Sequence, residues 1–324
     1  MHYDVFNGDA DGIIALLQLR LAAPKESVLI TGVKRDINLL KQVDVTKACA
    51  VTVLDISLEK NNEALQALLN NQVEVFYVDH HRTGDIPKSS SLTTLINTDA
   101  NICTSLLVND FLQGQYANWA IAAAFGDNMQ ASAKALAVKQ GLTEIEQTQL
   151  NELGIYINYN GYGASIDDLH FHPAKLYQAL LAYPDPFTLI NEQGSLFWQL
   201  KQAYLTDMAK AQSAEVISDT NRVKTVQLAD EPWARRVSGV FGNDLANQAP
   251  DRAHIVLTLN KSDNSAEASY TVSLRAPLNN KQGAGDICAQ FATGGGRAAA
   301  AGVNALPVSK LTEFIKQVER YYQP

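Results

Sequence analysis

The sequence predicts an α/β protein: a parallel sheet with helical crossovers in a larger N-terminal domain, followed by a smaller C-terminal α/β domain. Three observations carry this expectation. Short β-branched and aromatic runs alternate with helical patterns as far as Val78, the signature of right-handed βαβ units. These runs stop at acidic residues, among them Asp9, Asp55 and Asp79. A parallel sheet presents all such ends at one edge, where the ligands of open α/β sheets bind. From Asn221 the pattern changes to strands gathered around fewer helices. The expected division is 1–195 for the first domain, 196–220 for a helical linker and 221–324 for the second domain.

Tyr3 to Phe6 reads as a strand, Asn7 to Gly12 as a tight acidic loop, and Ile13 to Ala22 as an apolar helix. The next strand runs from Ser27 to Val33, followed by a short helix from Asp36 to Gln42. Ala50 to Leu54 is a strand that ends in Asp55, and Glu59 to Asn70 is helical in pattern. Val73 to Val78 is β-branched and aromatic with one charge, which suits a buried strand; it stops on Asp79, His80 and His81. Thr104 to Leu112, Ala117 to Phe125, Ser132 to Gln140 and Glu144 to Tyr156 follow as helices, with Asp127 just beyond the second. Asn158 to Ser165 reads as a loop whose tyrosines either stack on a base or are plain surface residues. His170 and His172 have no third ligand nearby and read as structural. A long helical stretch covers Ser195 to Ile217. Beyond it come strands at Val223 to Leu228, His254 to Asn260 and Ser269 to Arg275. Helices are expected at Ser238 to Gln248, Asp286 to Ala292 and Leu306 to Tyr322.

Composition bounds the function. With 324 residues, 46% hydrophobic and 19% charged, the chain is an ordinary globular sequence long enough for two cores. No run approaches the roughly 18 apolar residues of a membrane span. The acidic start MHYDVFNGDADG opens straight into a strand, unlike a signal peptide. The three cysteines, Cys49, Cys103 and Cys288, are far apart and form no CxxC, which suits a reducing cytoplasm. A net charge of −8 argues against a long grip on duplex nucleic acid but leaves room for a small anionic substrate.

Two stretches carry chemistry. The first is the acidic edge. A glycine-permitted turn before a helix normally collects phosphate, yet here it holds two carboxylates, Asp9 and Asp11. One Asp would suffice to cap the helix; a divalent cation resolves the conflict of having two. Asp79, His80 and His81 can reach the same point, or form a turn with a capping Asp and two surface histidines. The second stretch is Gly294-Gly295-Gly296-Arg297 with the alanines after it. Exposed glycine amides and a guanidinium make an anion cradle, and the alanines favour helix. Arg275, at a strand end, offers a second guanidinium.

Asp9-Ala-Asp-Gly12, Asp55, Asp79-His-His81 and Asp127 match, in order, the motifs of the DHH phosphoesterase family, and the chain resembles it. Ser273 to Arg275 and Gly294 to Gly302 resemble that family's C-terminal DHHA1 domain. The resemblance implies two lobes with a metal site, usually Mn²⁺, in the cleft. It implies Asp9, Asp11, Asp55, His80 and Asp127 as ligands, Asp79 as their support and His81 near the scissile phosphate. Hard carboxylates with an imidazole suit Mn²⁺ or Mg²⁺, and one or two such ions can activate water and clamp a phosphoryl oxygen.

Two departures bear on this. Val5 stands where the family usually has a His, so one metal position is expected to be weaker, or the centre to hold a single ion; Asn7 is a nearby carbonyl donor. Arg297 stands where the family usually has the His of GGGH, which points to a phosphate-rich substrate. The expected function is hydrolysis of short oligonucleotides or linear dinucleotides of the pGpG kind to mononucleotides. An exopolyphosphatase, pyrophosphatase or nucleotide 3′-phosphatase is the alternative, and a non-catalytic nucleotide-binding module is a third. A homodimer is left open.

Overall fold

The computed structural model describes residues 1–99, 101–260 and 268–323. They form two compact units, Met1–Ala203 and Tyr204–Pro324, each with its own sheet.

The first unit opens with β1 (His2–Phe6), α1 (Ala10–Ala22) and β2 (Val28–Ile30), then β3 (Ala50–Leu54), α2 (Leu58–Asn70), β4 (Glu74–Asp79) and β5 (Leu92–Ile96). The sheet order is β2-β1-β3-β4-β5, and every neighbouring pair is parallel, as the βαβ pattern requires. After β2 the chain returns to the other side of β1, so the strand order reverses between β1 and β3. That topological switch point lies at the C-terminal strand ends, the ligand position of doubly wound sheets. Five helices follow: α3 (Thr104–Phe111), α4 (Ala117–Gly126), α5 (Gln130–Lys139), α6 (Glu144–Asn160) and α7 (Pro173–Leu180). Then come α8 (Pro186–Asn191) and α9 (Leu196–Ala211). Helix α1 is buried almost all round, which its continuous apolar sequence demands. It packs against α3, α4, α6 and α7. On the other face, α2 packs over β4, and Val5, Val53, Val75 and Tyr77 fill a common core.

The second unit contains β6 (Glu215–Asp219), β7 (Val223–Leu228), α10 (Pro232–Gln248), β8 (Ala253–Asn260) and β9 (Ser269–Arg275). It ends with α11 (Ala284–Cys288), β10 (Gly294–Gly296), β11 (Ala300–Pro307) and α12 (Leu311–Tyr321). Its sheet order is β10-β11-β9-β8-β7-β6, antiparallel except for β7 with β8. No helix of the described residues is long and apolar enough to cross a membrane.

Several elements differ from the sequence expectation. Strand β2 is shorter than Ser27 to Val33, and only Leu40–Gln42 of the expected Asp36 to Gln42 helix is helical, as a 3₁₀ turn. The expected helix to Ile217 ends at Ala211, and Glu215–Asp219 pairs with β7 as a strand. Asn158, Tyr159 and Asn160 belong to α6 rather than to a loop, and Tyr159 is buried with its hydroxyl on His170 Nε2 at 2.8 Å. The alanines after Gly296 are the largest correction. Ala298 and Ala299 lie in the turn and Ala300 and Ala301 open strand β11 rather than a helix, with β10 on one side and β9 on the other. A run of four alanines gains little helix energy alone, and two flanking ladders override it. Gly302 is needed there because a Cβ would lie 2.5 Å from the Val272 carbonyl oxygen.

Candidate metal centre

The loop after β1 delivers the first two carboxylates. Asp9 caps α1, its Oδ1 accepting the Gly12 N–H at 3.0 Å. Asp11, in the first turn of α1, reaches across to α3, whose opening N–H groups at Thr104 and Ser105 donate to its two oxygens at 2.8 and 2.7 Å. Each Asp is thus oriented by a helix N-terminus, and each carboxylate oxygen keeps a further lone pair for a cation. Asn7 does not offer its carbonyl freely: Oδ1 accepts the Asp9 N–H, and Nδ2 donates to the Lys34 carbonyl. Val5 lies in the core, fully buried.

Strands β3 and β4 deliver the next groups. Asp55 follows β3 with φ of +59°, a left-handed conformation, while its N–H still bonds the Val78 carbonyl of β4 at 3.1 Å. A non-glycine residue held there costs on the order of 1 kcal/mol, tolerated best by Asp and Asn. Thr104 Oγ1 donates to Asp55 Oδ1 at 3.2 Å. At the end of β4, His80 Nδ1 lies 2.9 Å from the Ile102 carbonyl. A carbonyl only accepts, so the proton is assigned to Nδ1 and the Nε2 lone pair is free, the arrangement of a ligating histidine. Nε2 faces Asp55 Oδ1 at 3.4 Å and Asp11 Oδ2 at 3.9 Å. His81 donates Nδ1–H to buried Asp79 at 2.7 Å, and its side chain is 42% exposed.

The carboxylates are crowded and dry. Burial pushes Asp55 well above the usual carboxylate range, and the charges of Asp11, Asp9, Asp127 and Asp79 push it further. Burial also raises Asp127; Lys34 opposes this, while Asp11 and Asp9 add to it. Burial alone would lower the His81 ring, but its hydrogen bond to Asp79 and the nearby carboxylates raise it.

A cation fits this donor set. Asp79 Oδ2 and Asp127 Oδ2 are buried without a hydrogen-bond partner, and ligand atoms of Asp55, His80 and His81 lie within 4.8 Å of one another. Of the residues expected at the metal, Asp55 and Asp11 each lie within 4 Å of His80 Nε2. Asp9 and Asp127 also meet Lys34, whose ammonium lies 2.5 and 3.6 Å from them, and Asp9 keeps a side-chain hydrogen bond with Asp55. The motifs do not contain Lys34. The available signal was position: the basic pair Lys34-Arg35 shortly after a parallel strand falls on the same edge as Asp9. Burial alone would depress the Lys34 ammonium, but Asp9 and the other anions hold it well above its ordinary value.

In the second unit, Gly294 to Arg297 forms β10 and the turn into β11 rather than an open amide cradle. The Gly294 N–H donates to the Phe291 carbonyl and the Arg297 N–H to the Ala300 carbonyl, both at 2.9 Å. Gly295 has open space where a Cβ would stand, whereas Gly296 needs glycine, with φ of +142° and the Ala301 Cα 2.5 Å from a Cβ. Arg275 spends its guanidinium inside the unit. It donates to Asn243 Oδ1, Ser273 Oγ, and the Leu274 and Gly239 carbonyls, fastening β9 to α10.

The N-terminal domain of the DHH family matches residues 3–138. No curated protein sequence matches the chain significantly. Among solved structures, RecJ in complex with Mn²⁺ from Thermus thermophilus superposes with a TM-score of 0.60 at 15% identity, covering 99% of this chain and 52% of RecJ. The chain thus spans about half the length of that protein. The pGpG-specific phosphodiesterase PggH from Vibrio cholerae gives 0.53 at 13% identity, covering 99% of this chain and 98% of PggH. An exopolyphosphatase-related protein from Bacteroides fragilis gives 0.51 at 14% identity, covering 99% of this chain and 92% of that protein. At these identities the likeness is one of fold. The match at residues 3–138 takes in Asp9, Asp11, Asp55, Asp79, His80, His81 and Asp127, so the stretch that carries the candidate centre is similar to the N-terminal domain of the DHH family.

Proposed function

We propose that the protein is a metal-dependent phosphodiesterase that hydrolyses short oligonucleotides or linear dinucleotides of the pGpG kind to mononucleotides. The observation that carries this reading is the pair of buried carboxylates, Asp55 at 3.4 Å and Asp11 at 3.9 Å, that face His80 Nε2 at the switch point of a doubly wound sheet. Asp11, Asp55 and His80 would hold a divalent ion, Mn²⁺ or Mg²⁺ by the hardness of the donors. When bound, such an ion polarises a phosphoryl oxygen and makes a neighbouring water more acidic. His81 is the exposed proton carrier. Its Nδ1–H is fixed on Asp79, so its Nε2 is the atom that gives or takes a proton at the leaving oxygen. Arg297, in the turn from β10 to β11, is our candidate for the contact to a terminal phosphate. The acidic balance of the chain favours a short substrate over a polymer. Free cysteines at 49, 103 and 288 agree with a cytoplasmic setting.

The test is a substrate panel with Mn²⁺: a linear dinucleotide, a nucleotide 3′,5′-bisphosphate and polyphosphate. Mononucleotide release from the dinucleotide is the expected result. Phosphate release alone would make the protein a phosphatase or exopolyphosphatase, and saturable binding without turnover would make it a binding module. Asp55→Asn, which keeps the left-handed backbone accessible, should lower kcat at least about a hundredfold, a loss typical of removing a group that contacts the reacting centre. Arg297→Ala should raise KM for substrates with a terminal phosphate more than for those without.

A further inference from the structure

The acidic edge already holds one positive charge. Lys34 is not a loose surface lysine. Its N–H donates to the Gly161 carbonyl at 2.8 Å, and its carbonyl accepts Asn7 Nδ2 at 3.1 Å. The residues before it are packed without slack. A Cβ on Gly32 would lie 2.3 Å from Asp36 Oδ2, and a Cβ on Gly8 would lie 1.8 Å from the Gly32 carbonyl oxygen. The backbone that carries Lys34 is therefore pressed directly against the loop that carries Asp9.

The side chain is equally specified. Nζ lies 2.5 Å from Asp9 Oδ2, 3.2 Å from Asn158 Oδ1 and 3.6 Å from Asp127 Oδ1. These oxygens come from the β1–α1 loop, from α6 and from the residue after α4. Asn158 is buried within α6, so its amide is committed to this point rather than to solvent. An ammonium has three protons and no acceptor, and three oxygens converging on it form a site for a monovalent cation. The Tyr162 ring stands 5.6 Å away on a further side. His80 Nε2, which faces Asp55 Oδ1 and Asp11 Oδ2, has no such cation beside it among the described residues.

We propose that Lys34 is a built-in cation, held by Asp9, Asn158 and Asp127, that takes the place of a second ion, so that the protein binds a single divalent ion, on Asp11, Asp55 and His80. This rests on the metal-dependent reading above and deepens it. Lys34 has two consequences. It neutralises carboxylates that would otherwise demand a second ion, and it holds a fixed positive charge beside the phosphoryl position without exchanging with solution. Lys34 acts here as a positioning and charge-balancing residue.

The test counts ions. Full-length protein stripped with EDTA is titrated with MnCl₂ by calorimetry, and the bound metal is examined by electron paramagnetic resonance. The wild type should bind one Mn²⁺ per chain and give the spectrum of an isolated ion. Lys34→Gln should bind two, with the broadened spectrum of a coupled pair. Two ions in the wild type would overturn the proposal, as would one ion in both proteins. No ion in the wild type would overturn the metal-dependent reading itself, so the two failures are distinguishable. Should Lys34→Gln fail to fold, Asp127→Asn decides. The electron paramagnetic resonance spectrum of its bound Mn²⁺ should match that of wild type, since Asp127 does not ligate the ion in this assignment; a changed spectrum would place Asp127 on the ion and overturn the assignment.

Discussion

Asp55 carries two unfavourable features at once. Its backbone sits at φ +59°, and its carboxylate is buried among four others that raise its proton affinity. Neither feature helps the metal-free fold, and both aim an oxygen at His80 Nε2. Strain concentrated on one residue at a sheet edge is the pattern of a functional position. Asp55→Asn keeps a side chain that tolerates this conformation and removes the repelling charge. The metal-free variant should therefore be more stable than wild type, by on the order of 1 kcal/mol, or about 2–4 °C in Tm for a domain of this size. Added Mn²⁺ should raise the wild-type Tm and leave the variant unchanged. Scanning fluorimetry with EDTA and with Mn²⁺ checks both, and an Asp55→Asn protein less stable than wild type in EDTA would contradict the repulsion argument. Asp9, Asp11, Asp79, His80 and His81 were legible in the sequence because each lies in a short local motif at a strand end. Lys34 was not, because its partners come from segments 25 and 124 residues away and only the folded loops bring them together.

At the scale of elements, the position of Asp127 depends on two glycines. Helices α4 and α6 approach so closely that a Cβ on Gly154 would lie 2.0 Å from the Ala122 carbonyl oxygen, and one on Gly126 would lie 2.7 Å from both Ala10 Cβ and the Gly154 carbonyl oxygen. The crossing therefore sets how far Asp127, the residue after α4, stands from α1 and from Asn158 on α6. Gly154→Ala should force the two helices apart, at a cost of about 2–3 kcal/mol from overpacking. Chemical denaturation measures the stability loss; a variant as stable as wild type would mean that the crossing yields without strain. Strands β1, β3 and β4 and helices α3 and α4 were readable because their periodicity or β-branching agrees with their final state. Strand β5 and the proline-started helices α7 and α8 were not anticipated. LTTLI is short and sits at a sheet edge, and α8 spans only Pro186–Asn191, too short to display a helical period. Strand β11 went the other way: its alanines carry a helical preference that the two adjoining ladders outweigh.

For the whole molecule, the crowded carboxylates give stability an unusual dependence on pH. Asp55 and Asp127 have folded-state values raised above those of free side chains, so ionising them destabilises the fold, and stability returns as pH falls through the raised values. His81 is also raised, by its bond to Asp79 against the opposing effect of burial, and its contribution is full below the ordinary histidine value and lost as pH rises through the folded one. All three groups act in the same direction between weakly acidic and neutral pH: the native state binds more protons than the unfolded chain, so stability falls as pH rises. Asp4 works only at lower pH. Burial alone would raise it, but hydrogen bonds from His2 and Arg20 hold it at about 2, so its contribution is lost only below the usual carboxylate range. In EDTA, the Tm should therefore rise on going from about pH 7.5 to about pH 5.5. With saturating Mn²⁺ the order should reverse, because ligands must shed protons to bind metal and the bound ion adds about 2.7 kcal/mol at a hundredfold excess over Kd. Two melting series against pH, one in EDTA and one in Mn²⁺, should thus have slopes of opposite sign. Parallel slopes would mean that the ion does not bind through these carboxylates, and that their crowding has another origin.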